Sequence, residues 1–503
     1  MNKYFDTKIY DFKYKSKNID DILQEENYLI VGDFWGIQSF IFDGLTTKNA
    51  AKVLRAKSAF VQIIMEVVAK YICDSAKVDD SHILTTNAGK FEVLLPTDID
   101  ITAIQQKLDD YFINNFYGIS GIGLAKIRVN KNEWQKDYKN FREQVAKEVE
   151  KTKFKKFDLI NKNPILEYDE GIDNQSLCDI CNVRKKEDKK DECKVCDSFI
   201  KLGKRLANFE VSELVSIKKL YIDIFDDYDC DIVIDERLVS YVPTNDKNIL
   251  TFEEIAQSSC KDSKTGIKAL GILKADVDGM GNFIKTSNIT NHFENFDEFS
   301  KGLDSFFSLY VTDRLKQDYK NIYTVFAGGD DLFLVGAWDE VMDFSRKIRD
   351  IFLKYIKNKG LTISFGIAIA KPHTPISYLA NHTEELLELS KEIEGKDSLT
   401  IWGESVKWNS YIEIYKKLDK AFQGYEDIAT TTIYRLLEFC NMSKNINKDI
   451  KNTIWKSKLN YLFSRNMNIE EDKDLMEVLS TTIDENPSET KVFLSEFIYK
   501  RRD

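Results

Sequence analysis

The chain carries one order of polar and apolar segments twice, and the two copies differ at the position where chemistry would occur. In the downstream copy the apolar run Ala269-Leu270-Gly271-Ile272-Leu273 leads into Lys274-Ala275-Asp276-Val277-Asp278-Gly279. Further on, Gly328-Gly329-Asp330-Asp331 separates Ile322-Tyr323-Thr324-Val325-Phe326 from Leu332-Phe333-Leu334-Val335, which reads as a β-hairpin with a tight turn. Glycine permits the left-handed backbone such a turn needs and lets a phosphate approach the main chain. Adjacent aspartates with no basic neighbour repel each other, so their ionised forms favour a hard divalent cation such as Mg²⁺ or Mn²⁺. Two strand-end carboxylate groups brought side by side make the metal site expected of a nucleotidyl-transferring palm domain.

The upstream copy lays Val31-Gly32-Asp33-Phe34-Trp35-Gly36 over Lys274 to Gly279, with Asp33 on Asp276 and Phe40-Ile41 on Phe283-Ile284. Both copies read as strand, long helix, hairpin, helix, strand: about 28–34, 48–74, 82–95, 98–116 and 119–129, then about 267–277, 291–318, 322–337, 339–358 and 361–370. That order is the βαββαβ pattern of a ferredoxin-like palm, so the expected class is α+β with two palms. A repeat about 240 residues apart is a domain duplication and not a solenoid. Asn87-Ala88-Gly89-Lys90 occupies the place of Gly328 to Asp331, and a lysine there repels a metal. The first palm is therefore expected to be structural, or a second nucleotide pocket without its own metals.

Between the palms lie Cys178-Asp179-Ile180-Cys181 and Cys193-Lys194-Val195-Cys196, two CxxC pairs whose spacing suits tetrahedral zinc. The other four of the eight cysteines stand alone, which together with the cluster points to a reducing cytoplasm. No run of 18 apolar residues occurs and the first 20 residues are polar, so neither a membrane span nor a secretory signal is expected. The net charge of −11 argues against a free-standing nucleic-acid binder but not against local basic patches. One such patch runs from Lys126 to Phe157, where lysines and arginines alternate with Trp134, Tyr138, Phe141, Phe154 and Phe157; it reads either as an RNA grip or as a solvated linker helix. A helix from Pro375 ends near Lys391, within reach of a triphosphate at the hairpin. The expected divisions are a short segment 1–27, a degenerate palm 28–130, a linker with the zinc knot 131–262, a catalytic palm 263–408 and a helical domain 409–503.

Gly32-Asp33-Phe34-Trp35-Gly36-Ile37-Gln38, Leu54-Arg55-Ala56-Lys57-Ser58, the four-cysteine insert, Ala275 to Gly281 and Gly328 to Asp331 occur in that order. In this the chain resembles the large polymerase/cyclase subunit of type III CRISPR–Cas effector complexes, closer to the III-A form, from about residue 28 to the end. The resemblance implies a crRNA-guided ribonucleoprotein that, on binding target RNA, converts ATP to cyclic oligoadenylates, with a small helical subunit and a crRNA 5′-end-binding subunit as partners. It implies Asp276, Asp330 and Asp331 as catalytic metal ligands, Asp278 behind them, and Gly328, Gly329 and Lys391 around the phosphates. Family members often begin with an HD nuclease domain. Here only about 27 residues precede the first palm, the four histidines are scattered and no His-Asp dipeptide exists, so no HD-type DNase is expected. Two rivals remain: a diguanylate-cyclase-like enzyme, disfavoured by Asp331-Leu332 and the duplicated palm, and a catalytically silent architectural subunit.

Overall fold

The computed structural model describes the chain except residues 1–2, 15–16, 18, 43, 47–48, 88, 156–175, 207–210, 240, 246–247, 261–264, 358–359, 426, 467–471 and 503. Ala88 and Phe157, named above, lie outside the described residues. Two sheets carry the fold. The first has four antiparallel strands in the order Ile83–Asn87, Lys90–Leu95, Glu26–Trp35, Gly121–Asn130. The second runs Ile322–Gly328, Asp331–Ala337, Leu270–Asp278, Thr362–Ala370, and then continues into Ser398–Ile401 and Glu404–Lys407. These last two short strands were not anticipated; the Ser398–Ile401 strand joins parallel to Thr362–Ala370 after the Ile376–Lys391 helix crosses over. Four residues are too few to show a period against their background.

Each palm places two helices on one sheet face: Ala50–Ser75 and Ile101–Phe116 in the first, Phe293 to Asp318 and Trp338–Tyr355 in the second. The Phe293 to Asp318 helix contains a π-helical turn at Phe306–Val311, a feature that often marks functional segments. The Ala50–Ser75 helix is apolar around most of its circumference because it is covered on two sides, by its own sheet and by the second palm. Tyr323 donates its hydroxyl proton to the Ala51 carbonyl at 2.5 Å, and the Phe42 and Phe333 rings lie 4.7 Å apart. One core thus runs through the first palm, the cysteine insert and the near face of the second sheet. Phe5 stacks on Tyr355 at 4.7 Å, so the N-terminal segment packs on the second palm although it precedes the first.

The basic stretch forms helices Lys131–Lys136 and Tyr138–Phe154. Trp134, Tyr138 and Phe141 are buried against the first sheet, and Arg142 pairs with Glu92 at 2.7 Å. These three rings are core and unavailable for base stacking, which corrects the RNA-grip reading for them, whereas Phe154 stays exposed beside Lys126, Arg128, Lys147 and Lys151. Alternation of charge and aromaticity was the signature of an amphipathic helix packing on a sheet.

Helices Trp408–Ala421, Thr430–Lys444, Trp455–Asn466, Lys473–Glu485 and Pro487–Arg501 enclose a separate core around Leu436, Trp455, Phe463 and Leu479. They dock on the second palm through a buried ion cluster. Arg346 grips Glu496 with two bonds (2.8 and 3.2 Å), Lys500 adds a third at 2.7 Å and the Tyr411 hydroxyl a fourth at 3.2 Å. Burial alone would raise the Glu496 pKa, but Arg346 and Lys500 hold it down at about 2. No helix among the described residues is long and apolar enough to cross a membrane.

Because the folded pKa lies below the unfolded carboxylate value of about 4.3, the stabilisation from Glu496 is intact above about pH 4.5 and lost between there and pH 2. Glu496→Gln leaves Arg346 buried without its counter-ion and should cost about 3 kcal/mol. A thermal melt at pH 7 with an unchanged midpoint would contradict this, as would a variant whose sensitivity between pH 4.5 and 3 matched the wild type.

Candidate active site and metal centre

Strand register builds the acidic site. Asp331 lies directly opposite Asp276 in the antiparallel ladder, and two-residue alternation puts Lys274 and Asp276 on the sheet face that meets the first palm. In the first palm the equivalent cross-strand pair is Asp33 with Lys90. Gly329 takes a left-handed φ of 63° at the turn, and its N–H donates to the buried Asp304 carboxylate at 2.9 Å. Gly279, with φ 78°, closes the strand so tightly that an added Cβ would sit 2.8 Å from the Gly360 carbonyl oxygen.

Burial pushes the Asp331 carboxyl up to about 7; the Lys274 ammonium opposes this, and Asp276 and Asp330 add to it. Burial likewise raises Asp276, against the pull of Lys391, whose Nζ lies 2.8 Å from Asp276 Oδ2. Lys391 therefore ends its helix at the acidic pair, where its partner is Asp276. Asp276 and Asp331 are crowded carboxylates whose ionised forms burial disfavours, a donor pair that a divalent cation would relieve. Together with Asp330 they do not close into a compact ligand group among the described residues, Asp276 being held by Lys391. Asp278 is different. Its Oδ2 accepts from the Thr362 and Ser364 hydroxyls at 2.8 Å each and from the Asp397 N–H at 3.1 Å, while Oδ1 is buried without a hydrogen bond.

A cavity of about 640 Å³ opens between the palms. Gly328 to Asp331 line one side, and Asp33, Asn87, Gly89 and Lys90 the other. Asp33 is neutralised by Lys90 at 3.6 Å and Lys153 at 3.3 Å, so the first palm offers the cavity no free acidic pair. Sequence reasoning missed Lys274, which is buried and paired with Glu384; its place two residues before Asp276 on a strand was the available signal. It also missed Asp304 and Arg237, which no local pattern marks.

The four clustered cysteines converge. Their sulfurs lie within 4.8 Å of one another, all buried, and among the described residues they form the one such group of His, Cys, Asp or Glu ligands. None of the four histidines joins such a group. Backbone N–H groups of Ile180 and Cys196 point to Cys178 and Cys193 Sγ at 3.4 and 3.5 Å, the support expected of paired knuckles. Thr46 fastens the first knuckle to the first palm through the Ile180 and Asp179 carbonyls at 2.9 and 2.7 Å. A compact, buried set of four sulfur donors fits tetrahedral zinc.

Fold and site together define a protein of two facing palm domains, one with an acidic strand-end pair and one whose strand-end aspartate is paired with lysines. Residues 269–400 match the family model for the second palm domain of Cas10/Cmr2, and residues 26–170 that for domain B of the Csm1 subunit. The chain belongs to the Cas10/Csm1 family. It is 27% identical to a single-strand-specific deoxyribonuclease Cas10/Csm1 (subtype III-A) of Methanocaldococcus jannaschii, covering 87% of this chain and 68% of that protein. The corresponding protein of Streptococcus thermophilus is 24% identical, with 82% and 60% covered. The crystal structure of an apo Csm1–Csm4 cassette superposes with a TM-score of 0.69 at 18% identity, covering 95% of this chain and 70% of that one. The same cassette with cA3 gives 0.67 at 19% identity, with the same coverage.

Protein purified without chelator should hold one zinc per chain by elemental analysis, and Cys178→Ser should release it and expose the 176–206 region to protease. Stoichiometric zinc retained in a variant lacking both Cys178 and Cys193 would rule the cluster out as the site.

Proposed function

We propose that this chain is the nucleotidyl-transferring subunit of a crRNA-guided type III-A effector complex, and that it joins ATP into cyclic oligoadenylates with release of pyrophosphate. The observation that carries the reading is the contrast across one cavity: Asp331 faces Asp276 in one palm, and Lys90 faces Asp33 in the other. One palm is equipped for metal-dependent chemistry and the other to hold a nucleotide without it. Mg²⁺ or Mn²⁺ at Asp276, Asp330 and Asp331 would activate the attacking 3′-hydroxyl and stabilise the leaving oxygens. The chain's own groups do the positioning. Gly328 and Gly329 admit the triphosphate close to the backbone, Asp304 fixes the turn through the Gly329 N–H, and Lys391 exchanges Asp276 for phosphate oxygens as the nucleotide enters. Asp278, locked by Thr362, Ser364 and the Asp397 N–H, holds the strand end from behind the site.

Adenine nucleotides are supported as substrates by the Csm1–Csm4 structures with ATP, AMPPNP, pppApA and cA4. A Csm4-like crRNA 5′-end-binding subunit is supported by the subcomplex described from the type III-A interference complex. Guide crRNA, target RNA and a small helical subunit complete the proposed assembly, in a reducing cytoplasm that keeps the cysteine cluster available to zinc.

Asp330→Ala combined with Asp331→Ala should lower product formation from ATP at least about a hundredfold, since charge stabilisation of the transition state is lost. Assembly and target-RNA binding should survive, because removing two repelling carboxylates relieves strain at the turn. Mass spectrometry of products from the assembled complex decides it: wild-type output from the double variant would move the chemistry elsewhere, and GTP-derived products would favour the diguanylate-cyclase alternative.

A further inference from the structure

Six carboxylates line the inter-palm cavity: Asp33, Glu66, Asp235, Asp304, Asp330 and Asp331. Three cations face them, Lys90, Lys153 and Arg237, and the two lysines are committed to Asp33. Arg237 comes from neither palm. It sits on the helical turn Glu236–Val239 in the segment that joins them, anchored where Asp235 accepts the Leu238 N–H at 2.9 Å. Its Nη1 lies 3.1 Å from Asp304 Oδ2 and 3.4 Å from Asn87 Oδ1. Asp304 holds the Gly329 N–H of the acidic turn, and Asn87 belongs to the corresponding turn of the first palm. One guanidinium thus stands at the junction of both turns. Its Nε and Nη2 make no hydrogen bond among the described residues, and the side chain retains 31% exposure. A planar fork held by a carboxylate on one nitrogen, with its other donors open to a cavity, is preorganised for phosphate oxygens in a way a lysine is not.

We propose that Arg237 contacts the phosphates of a nucleotide bound in the inter-palm cavity, so that the segment between the palms completes the site they share. This rests on the reading above for the identity of the occupant, an adenosine polyphosphate. Asp304 keeps the guanidinium from folding away, and the contact to Asn87 places it within reach of a nucleotide at either turn.

The test is binding and not turnover: equilibrium dialysis of the full chain with AMPPNP and, separately, adenosine, in Mg²⁺. Arg237→Ala should weaken AMPPNP about tenfold or more, the scale of a lost charge-assisted bond, and leave adenosine unchanged. The double variant Arg237→Ala, Asp304→Asn removes the carboxylate left unpaired by the first change. It should stay as weak for AMPPNP as the single variant; recovery of affinity would show that Arg237 merely neutralises Asp304, and would overturn the proposal. Equal losses for AMPPNP and adenosine, or wild-type AMPPNP affinity in Arg237→Ala, would overturn it too. If Arg237→Ala melts early, Arg237→Lys decides: it keeps a cation beside Asp304 but lacks the fork, so a loss confined to AMPPNP supports the contact and wild-type affinity refutes it. A chain that binds AMPPNP but whose assembled, target-bound complex yields no product from ATP would sink the cyclase reading alone, and a chain that binds no AMPPNP would sink both.

Discussion

The antiparallel register between Leu270–Asp278 and Asp331–Ala337 governs everything the second palm can do. It sets Asp276 across from Asp331 and, in the same stroke, sends Leu273, Ala275 and Val277 into the palm's own core while Ile272 meets the first palm. A slip of one residue would exchange those faces, burying the carboxylates in the apolar core and exposing the apolar residues. The fold's stability and the position of the acidic pair are therefore one constraint. The site tolerates raised carboxyl pKa values because burial of the surrounding strands holds the pair together regardless.

The two palms solve the same electrostatic problem with different cations. In each, the strand-end aspartate faces away from the palm's own two helices, and a further helix covers that face. Over the first sheet it is Tyr138–Phe154, which brings Lys153 to Asp33; over the second it is Ile376–Lys391, which brings Lys391 to Asp276. The first palm adds Lys90 from the neighbouring strand, so two lysines meet the one aspartate. The second has Asp331 there instead, which crowds Asp276, with Lys391 and Lys274 as the nearby cations. A duplicated scaffold with one substituted partner thus gives two strand ends of opposite charge balance across one cavity.

The acidic strand end is also wired outward. Asp278 accepts the Asp397 N–H, the Asp397 carboxylate binds Arg349 (Nε at 3.0 Å), and Arg349 donates to Asn409 at 2.7 Å in the first helix of the C-terminal bundle. With Arg346 and Glu496 nearby, the bundle is fixed to the helix that backs the second palm's sheet. Such a docked bundle braces the palm from the face opposite the cavity.

Much of this was legible in the linear sequence because its signals are local. Period-two apolar runs, a Gly-Gly-Asp-Asp turn and two CxxC pairs each fix a few residues by short-range sterics and donor chemistry, and duplication made the βαββαβ order readable twice. The aromatic residues at 134, 138 and 141 were ambiguous for the opposite reason: whether a ring stacks on a base or fills a core depends on what covers it. Only the tertiary structure decided that the palms face each other across one cavity, that Lys274 lies buried beside the acidic pair, and that Arg237 meets Asp304 and Asn87. Those contacts join residues far apart in the chain, placed by burial of the Ala50–Ser75 helix between two sheets, and packing of that range leaves no periodic trace in the sequence.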